Sequence, residues 1–195
     1  AGSNLLFNVG GTNEINIDGT HIYPQTDQGQ DLGSAGNRFR DLYLSSGVHL
    51  GGTGAANELD DYEEGAYDAV ILAGGATTVT LANNALSYTK IGRNVYINGR
   101  VSVDSVSSPS GNTTISLPFA ATTAIADNGD YNSMMAHVYH TNLPSGTIQT
   151  FWEISPGAST GLLLAMKDDA VWENINANGI TAGDILYVSG HYVAA

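Results

Sequence analysis

Residues 94–103 read "NVYINGRVSV". Val95, Ile97, Val101 and Val103 fall on one side of an extended chain and Tyr96 on the other, a period of two that fits a strand and no helix. Gly99, inside the run, marks a bulge or a place where another group comes close to the backbone. Just upstream, Gly92-Arg93-Asn94 is a corner able to join two antiparallel strands. The same texture extends both ways: "TTVTLA", "ALSYTKIG", "NTTISLPF", "SMMAHVYH", "TIQTFWEI", "GLLLAMK" and "DILYVSGHYVA" are strand-like, and "YDAVILAG" makes a further run. Turn-rich spacers such as "SSPSGN", "ADNGDYN", "NLPSG" and "NANGITAG" separate them. Strands without intervening helices predict an all-β fold, an antiparallel β-sandwich of jelly-roll-like kind over 68–195. Within it, Pro118 of "LPF" ends a strand because it has no N–H to give. The apolar C-terminal run, with Tyr187, Ser189 and His191 opposite Leu186, Val188 and Tyr192, belongs in the middle of a sheet.

Residues 1–56 have a different character. Ile15 and Ile17 alternate with polar residues until Asp18-Gly19 and Pro24 interrupt, which predicts short strands broken by turns. Farther on, Leu32, Phe39, Leu42, Leu44, Val48 and Leu50 are scattered among Gly and Ser. About 55 residues of this kind cannot enclose a core, since even a compact domain of ~60 residues is marginal. Three copies wound about one axis would cover those side chains, so a short intertwined trimeric stalk is expected. Gly33 and Gly36 would turn the chain, and Arg38 and Arg40 lie within reach of Asp31 and Asp41.

Between the two textures lies "ELDDYEE" at 58–64, five carboxylates in seven positions. A glycosidase needs two carboxyl groups held roughly 5–9 Å apart, one of them buried, and a polar run ending in Gly65 offers neither. The expectation is an acidic junction over 57–67. Asn57 would cap one helical turn with Glu58, Asp60 and Asp61 at its N-terminus, Gly65 would end it, and Leu59 and Tyr62 would plug into the head.

The chain has 195 residues, 42% hydrophobic and 13% charged, with 24 glycines. Six basic residues against nineteen acidic ones give a net charge of −13, which repels phosphate backbones and anionic membrane surfaces, so neither nucleic acid nor membrane is an expected partner. Without cysteine there is no disulfide, thiolate metal site or thiol nucleophile. No run reaches the ~20 apolar residues of a membrane helix. The opening "AGSNLLF" suggests a fragment whose upstream sequence is missing, with Ala1–Ser3 a cloning remnant.

Candidate ligands follow from loop chemistry. No calcium-loop motif is present; the nearest approach is "ADNGDYN", where Asp127, Asn128 and Asp130 supply oxygen ligands, and an Asn-Gly turn explains it equally. No cofactor is expected beyond that calcium option. His137 and His140, three apart on a strand, face opposite sides and cannot share one ion within a chain; His49 could meet its symmetry mates in a trimer. Trp172, beside Glu173, Asn174 and Asn176, and Tyr131 in "DNGDYNS" offer flat faces next to amides and carboxylates, the setting for a sugar. Trp152 reads as core or inter-subunit packing.

One ordered set of segments runs through the chain: "HIYPQTDQGQDLGSAGNRFRDLYLSSGVHLGG" at 21–52, "NELDDYEEGAYDAVI" at 57–71, "YTKIGRNVYINGRVSV" at 88–103, "ISLPF" at 115–119 and "DILYVSGHYVAA" at 184–195. In that order they resemble a family of bacteriophage virion fibre proteins, departing from its pattern at Ala66 and Asp68. The resemblance implies a non-enzymatic homotrimeric virion fibre, joined to other phage proteins at its N-terminal end. The resemblance names no host molecule; with the loop aromatics Trp172 and Tyr131, the expectation is a C-terminal head that attaches to the host surface through a cell-surface glycan. Two alternatives stand beside it. One is a capsid-attached head fibre or decoration protein without a receptor role; the other is a polysaccharide depolymerase, for which the stalk is short.

Overall fold

The computed structural model describes residues 5–52, 54, 58–59, 61–74, 77–123, 143–168 and 171–195, together with the backbone of 132–139. The chain is all-β and divides into two compact units, 1–45 and 46–195.

The first unit is a three-stranded antiparallel meander of β1 (Leu5–Val9), β2 (Thr12–Ile17) and β3 (Ile22–Pro24). Gly10 and Gly11, both at positive φ (63° and 89°), make the first turn, a conformation nearly free for glycine and costly for other residues. The Asp18 carboxylate makes the second by accepting the Thr20 and His21 amides at 2.8 and 2.7 Å, which holds its carboxyl below the usual carboxylate range. Beyond β3 the chain runs without strands to Ser45, turning at Gly33, where Ser34 N–H donates to Asn37 O at 2.8 Å. Among the described residues this unit has no apolar core. Its one buried described residue is polar, Asn16, bonded to Gln25 at 2.9 Å, while Leu32, Phe39, Leu42 and Leu44 are 53–73% exposed.

The second unit begins with a two-stranded ladder, β4 (Val48–His49) against β5 (Glu58–Leu59). The remaining strands form one eleven-stranded antiparallel sheet. They are β6 (Tyr62–Asp68), β7 (Ile71–Leu72), β8 (Thr78–Asn83), β9 (Ala85–Ile91), β10 (Asn94–Ser107), β11 (Thr114–Ser116), β12 (Asn132–Tyr139), β13 (Thr147–Ile154), β14 (Thr160–Lys167), β15 (Glu173–Asn174) and β16 (Ile185–Val193). The main path is β6-β9-β10-β16-β12-β13-β14-β11-β7, with β8 on β10 and β15 on β14. Its two ends, β6 and β7, are consecutive in the chain, linked only by Ala69-Val70. The sheet therefore folds back on itself. Ala69 N–H donates to Asn84 O at 2.8 Å on one side, and Ser116 N–H to Val70 O at 2.9 Å on the other. The Tyr67 hydroxyl of β6 donates to Ser116 O at the end of β11, at 3.1 Å.

Inward residues of the two layers interdigitate as in a sandwich. Leu86, Val95, Ile97, Val101, Leu186 and Tyr192 come from β9, β10 and β16; Ile71, Ile115, Trp152, Ile154 and Leu163 come from the facing strands, and all are essentially buried. The alternation of "NVYINGRVSV" is the cause, since Val95, Ile97, Val101 and Val103 form part of this core while Tyr96 stays 49% exposed. Gly99 sits on the inner side at φ 147°, and a Cβ there would lie 2.8 Å from Leu86 Cδ2, a close approach as the sequence suggested. The β9–β10 turn places Gly92 at φ 56°. β16 lies centrally, between β10 and β12, and β11 stops at Ser116 just before Leu117-Pro118.

The junction departs from its sequence reading. Glu58 and Leu59 pair with His49 and Val48 as strand, and Tyr62–Asp68 is an edge strand on β9, so no helical turn forms among the junction's described residues; Asn57 and Asp60 lie outside them. The unit boundary falls after Ser45 rather than at 56, where the ladder of Val48–His49 on Glu58–Leu59 ties the segment after Ser45 to the acidic run. Leu59 and Tyr62 do not plug the head: they are 37% and 60% exposed, Tyr62 being on the outer side of β6 opposite Ile91. Gly65 ends no helix. It stands mid-strand under the Tyr88 ring, whose Cε1 and Cζ would be 3.3 Å from a Cβ added there.

Candidate functional site

Three surfaces of the head carry chemistry. The first is the acidic run itself. Asp61 forms an ion pair with Lys90, a side chain 9% exposed on the inner side of β9, whose ammonium also lies 5.5 Å from the centre of the Phe119 ring. Gly92 N–H donates to Asp61 O at 2.7 Å. Tyr88 donates its hydroxyl to Glu63 and packs edge-on against Phe119, with centroids 5.3 Å apart. Tyr62 donates to Glu64 at 3.0 Å. Carboxylate acceptors stabilise the protonated phenols, so both tyrosines are held above the usual range, chiefly by those hydrogen bonds. Asp61, Glu63 and Glu64 thus have dedicated partners, and two of those partners lie on β9. They clasp an edge strand to the sheet, where the sequence suggested an acidic junction with one capped helical turn.

The second surface is the corner that the sequence singled out. Trp172 is 60% exposed and meets Phe151 edge to face at 6.2 Å. Asn174 pairs with Leu164, and Glu173, beside it, forms an ion pair with Lys167 at 2.5 Å. Phe151 and Leu164 are also register partners, so a ring pair and an amide share the outer side of β13, β14 and β15, while Glu173, opposite Ala165, takes the other side of β15. Trp152, one residue away, points inward and is fully buried, as its packing reading required. Tyr131, Asp127 and Asp130 lie outside the described residues. Among those described, no group of three or more His, Asp or Glu side chains is arranged to hold a metal ion, and no helix is long and apolar enough to cross a membrane.

The third surface was not singled out from the sequence. On the outer side of β9, β10 and β16 the register sets Thr89, Tyr96 and His191 in one row and Ser87, Asn98 and Ser189 in the next. Tyr96 and His191 tilt toward each other, with ring centroids 5.4 Å apart and planes at 33°. Small residues beside tall rings leave a groove of about 230 Å³. Glu64, paired with Thr89, prolongs the first row onto β6. The sequence displayed the relevant alternation, with Tyr187, Ser189 and His191 on one side of the last strand. What it lacked was the long-range pairing that sets them beside Tyr96 and Asn98.

No family model, no curated protein and no solved structure matches the chain. Its class is therefore defined by the fold: an all-β chain with a coreless, strand-poor N-terminal unit and a sandwich-like antiparallel head.

Proposed function

We propose that the chain is the stalk-plus-head portion of a homotrimeric, non-enzymatic bacteriophage virion fibre, whose head attaches to a host-surface glycan. The observation that carries this reading is the uncovered N-terminal unit. Leu5, Phe7, Ile22, Leu32, Phe39 and Leu42 are 51–73% exposed there, with no apolar residue buried among those described. Monomeric proteins rarely leave so many large apolar side chains open. Copies of the same segment, each covering its neighbours, supply the missing core in a closed oligomer. Val48 and Leu50, 37% and 58% exposed, extend the uncovered series past the unit boundary. The ordered likeness to phage fibre sequences supports three as the number of copies and a virion as the location, with other virion proteins at the N-terminal end.

The head supports attachment through surfaces that combine rings, amides and hydroxyls, of which the Trp172, Phe151 and Asn174 corner is one. Three weak sites on one fibre, and several fibres on one particle, convert millimolar contacts into durable adhesion by raising the effective concentration. The deciding experiment is adhesion of the labelled full chain to bacterial cells, before and after periodate oxidation of their surface sugars. Adhesion that oxidation removes supports the reading. Adhesion unchanged by oxidation, or release of reducing sugar from capsule or lipopolysaccharide, contradicts it.

A further inference from the structure

We infer that the groove on the outer side of β9, β10 and β16 is a binding site for an uncharged pyranose, with the Tyr96 ring as its stacking platform. The inference rests on the attachment reading above and assigns its ligand contact to a different place from the Trp172 corner. Three features of the groove carry it.

Size comes first. At about 230 Å³ the groove is smaller than the roughly 300 Å³ at which sites for drug-sized molecules begin, and so matches one sugar ring. The second feature is charge. No Asp, Glu, Lys or Arg is among the lining residues, although the chain as a whole carries −13. An ionic ligand would find no carboxylate, ammonium or guanidinium in the lining and would lose hydration on entry. The third is the pattern of the lining. Tyr96, 49% exposed, presents an aromatic face to the C–H side of a pyranose. Asn98, Thr89 and Ser189, in fixed cross-strand register, present an amide and two hydroxyls to its O–H groups, and Ser87, whose hydroxyl donates to Asn98 O at 2.9 Å, keeps its oxygen as an acceptor. A face meant for another protein copy would concentrate apolar and aromatic area at its centre; here the centre is Asn98 flanked by two serines. These groups sit on paired strands of the sheet, so the site is already organised before a ligand arrives.

The test is saturation-transfer NMR on the full chain with the methyl glycosides of glucose, galactose, mannose and N-acetylglucosamine. The expected result is transfer to at least one of them. Tyr96→Ala should weaken that sugar roughly five- to tenfold through loss of the stacking face, and Tyr96→Phe should keep it within about twofold. Circular dichroism and solution mass of each variant, matched to the parent, exclude a folding defect. The inference is overturned if no neutral sugar gives transfer, if Tyr96→Ala leaves the affinity within about twofold of the parent, or if Tyr96→Ala alters the number of chains associated, which would place the face between copies. A chain that adheres to cells by an oxidisable glycan yet fails with all four sugars overturns only the groove. One that fails in both assays overturns the attachment reading as well.

Discussion

Replacing Asp61 by Asn removes the anion that faces Lys90 and leaves the lysine where it is. The Lys90 side chain is 9% exposed and the Asp61 side chain 45%, so the loss falls between two limits. Exposed ion pairs are worth roughly 0.2–1 kcal/mol, and breaking a fully buried pair from one side costs roughly 3–5 kcal/mol. With one member buried and the other half-exposed, about 2 kcal/mol is expected for Asp61→Asn. The Phe119 ring, 5.5 Å from the ammonium, offsets only a fraction of that. Lys90→Met acts differently: it removes the buried charge, keeps an unbranched chain against Phe119, and leaves Asp61 accessible to water. Its cost should stay within about 1 kcal/mol, and the double variant should match Lys90→Met. Denaturant unfolding at fixed protein concentration measures all three, since association shifts apparent stability. Equal losses from the two single variants, or strict additivity in the double variant, would refute the idea that a buried lysine needs this carboxylate.

Other consequences follow from the same structure. Gly99→Ala should cost roughly 2–3 kcal/mol, because φ 147° disfavours a side chain and its Cβ would press on buried Leu86; a change under about 0.5 kcal/mol by denaturant unfolding would contradict this. Burial pushes the Tyr192 phenol up to about 12 from an ordinary 10.0, and burial raises Tyr67 too. For such groups the unfolded chain loses its protons first, so stability is intact below pH 10 and falls as pH rises from there toward and past 12. Phenolate absorbance and near-ultraviolet circular dichroism should then change together, and ionisation of every tyrosine without loss of structure would be the contrary result. Leu42 and Leu44 are 64% and 53% exposed in the single chain, where Asp at both positions should cost within about 1 kcal/mol. If copies cover them, Leu42→Asp with Leu44→Asp should instead split the assembly, as sedimentation would register.

The head was largely legible in the sequence because each strand carries its own evidence. Trp152 is inward in "TIQTFWEI" and Val188 inward in "ILYVSGHYV" by alternation alone, and the Gly92-Arg93 turn makes β9 and β10 neighbours. The junction was misread for a local reason. "ELDDYEE" begins beside an asparagine and ends at a glycine, good signals for one helical turn, whereas the groups that decide its structure, Lys90 and Tyr88, arrive from another strand. Gly65 shows the same conflict: its lack of a side chain serves the Tyr88 ring, a tertiary contact that no local pattern displays. The groove was hidden because it is assembled from three strands. Tyr96, Asn98, Ser189 and His191 are ordinary outward residues until the β10–β16 register sets them side by side. Leu32, Phe39, Leu42 and Leu44 are the reverse case, an apolar series visible in the sequence that stays open in a single folded chain.

That open series makes association the central claim, and light scattering on the purified full chain after size-exclusion chromatography tests it most directly. The account predicts three times the chain mass of 20.3 kDa, maintained on dilution. A mass of one chain would contradict it.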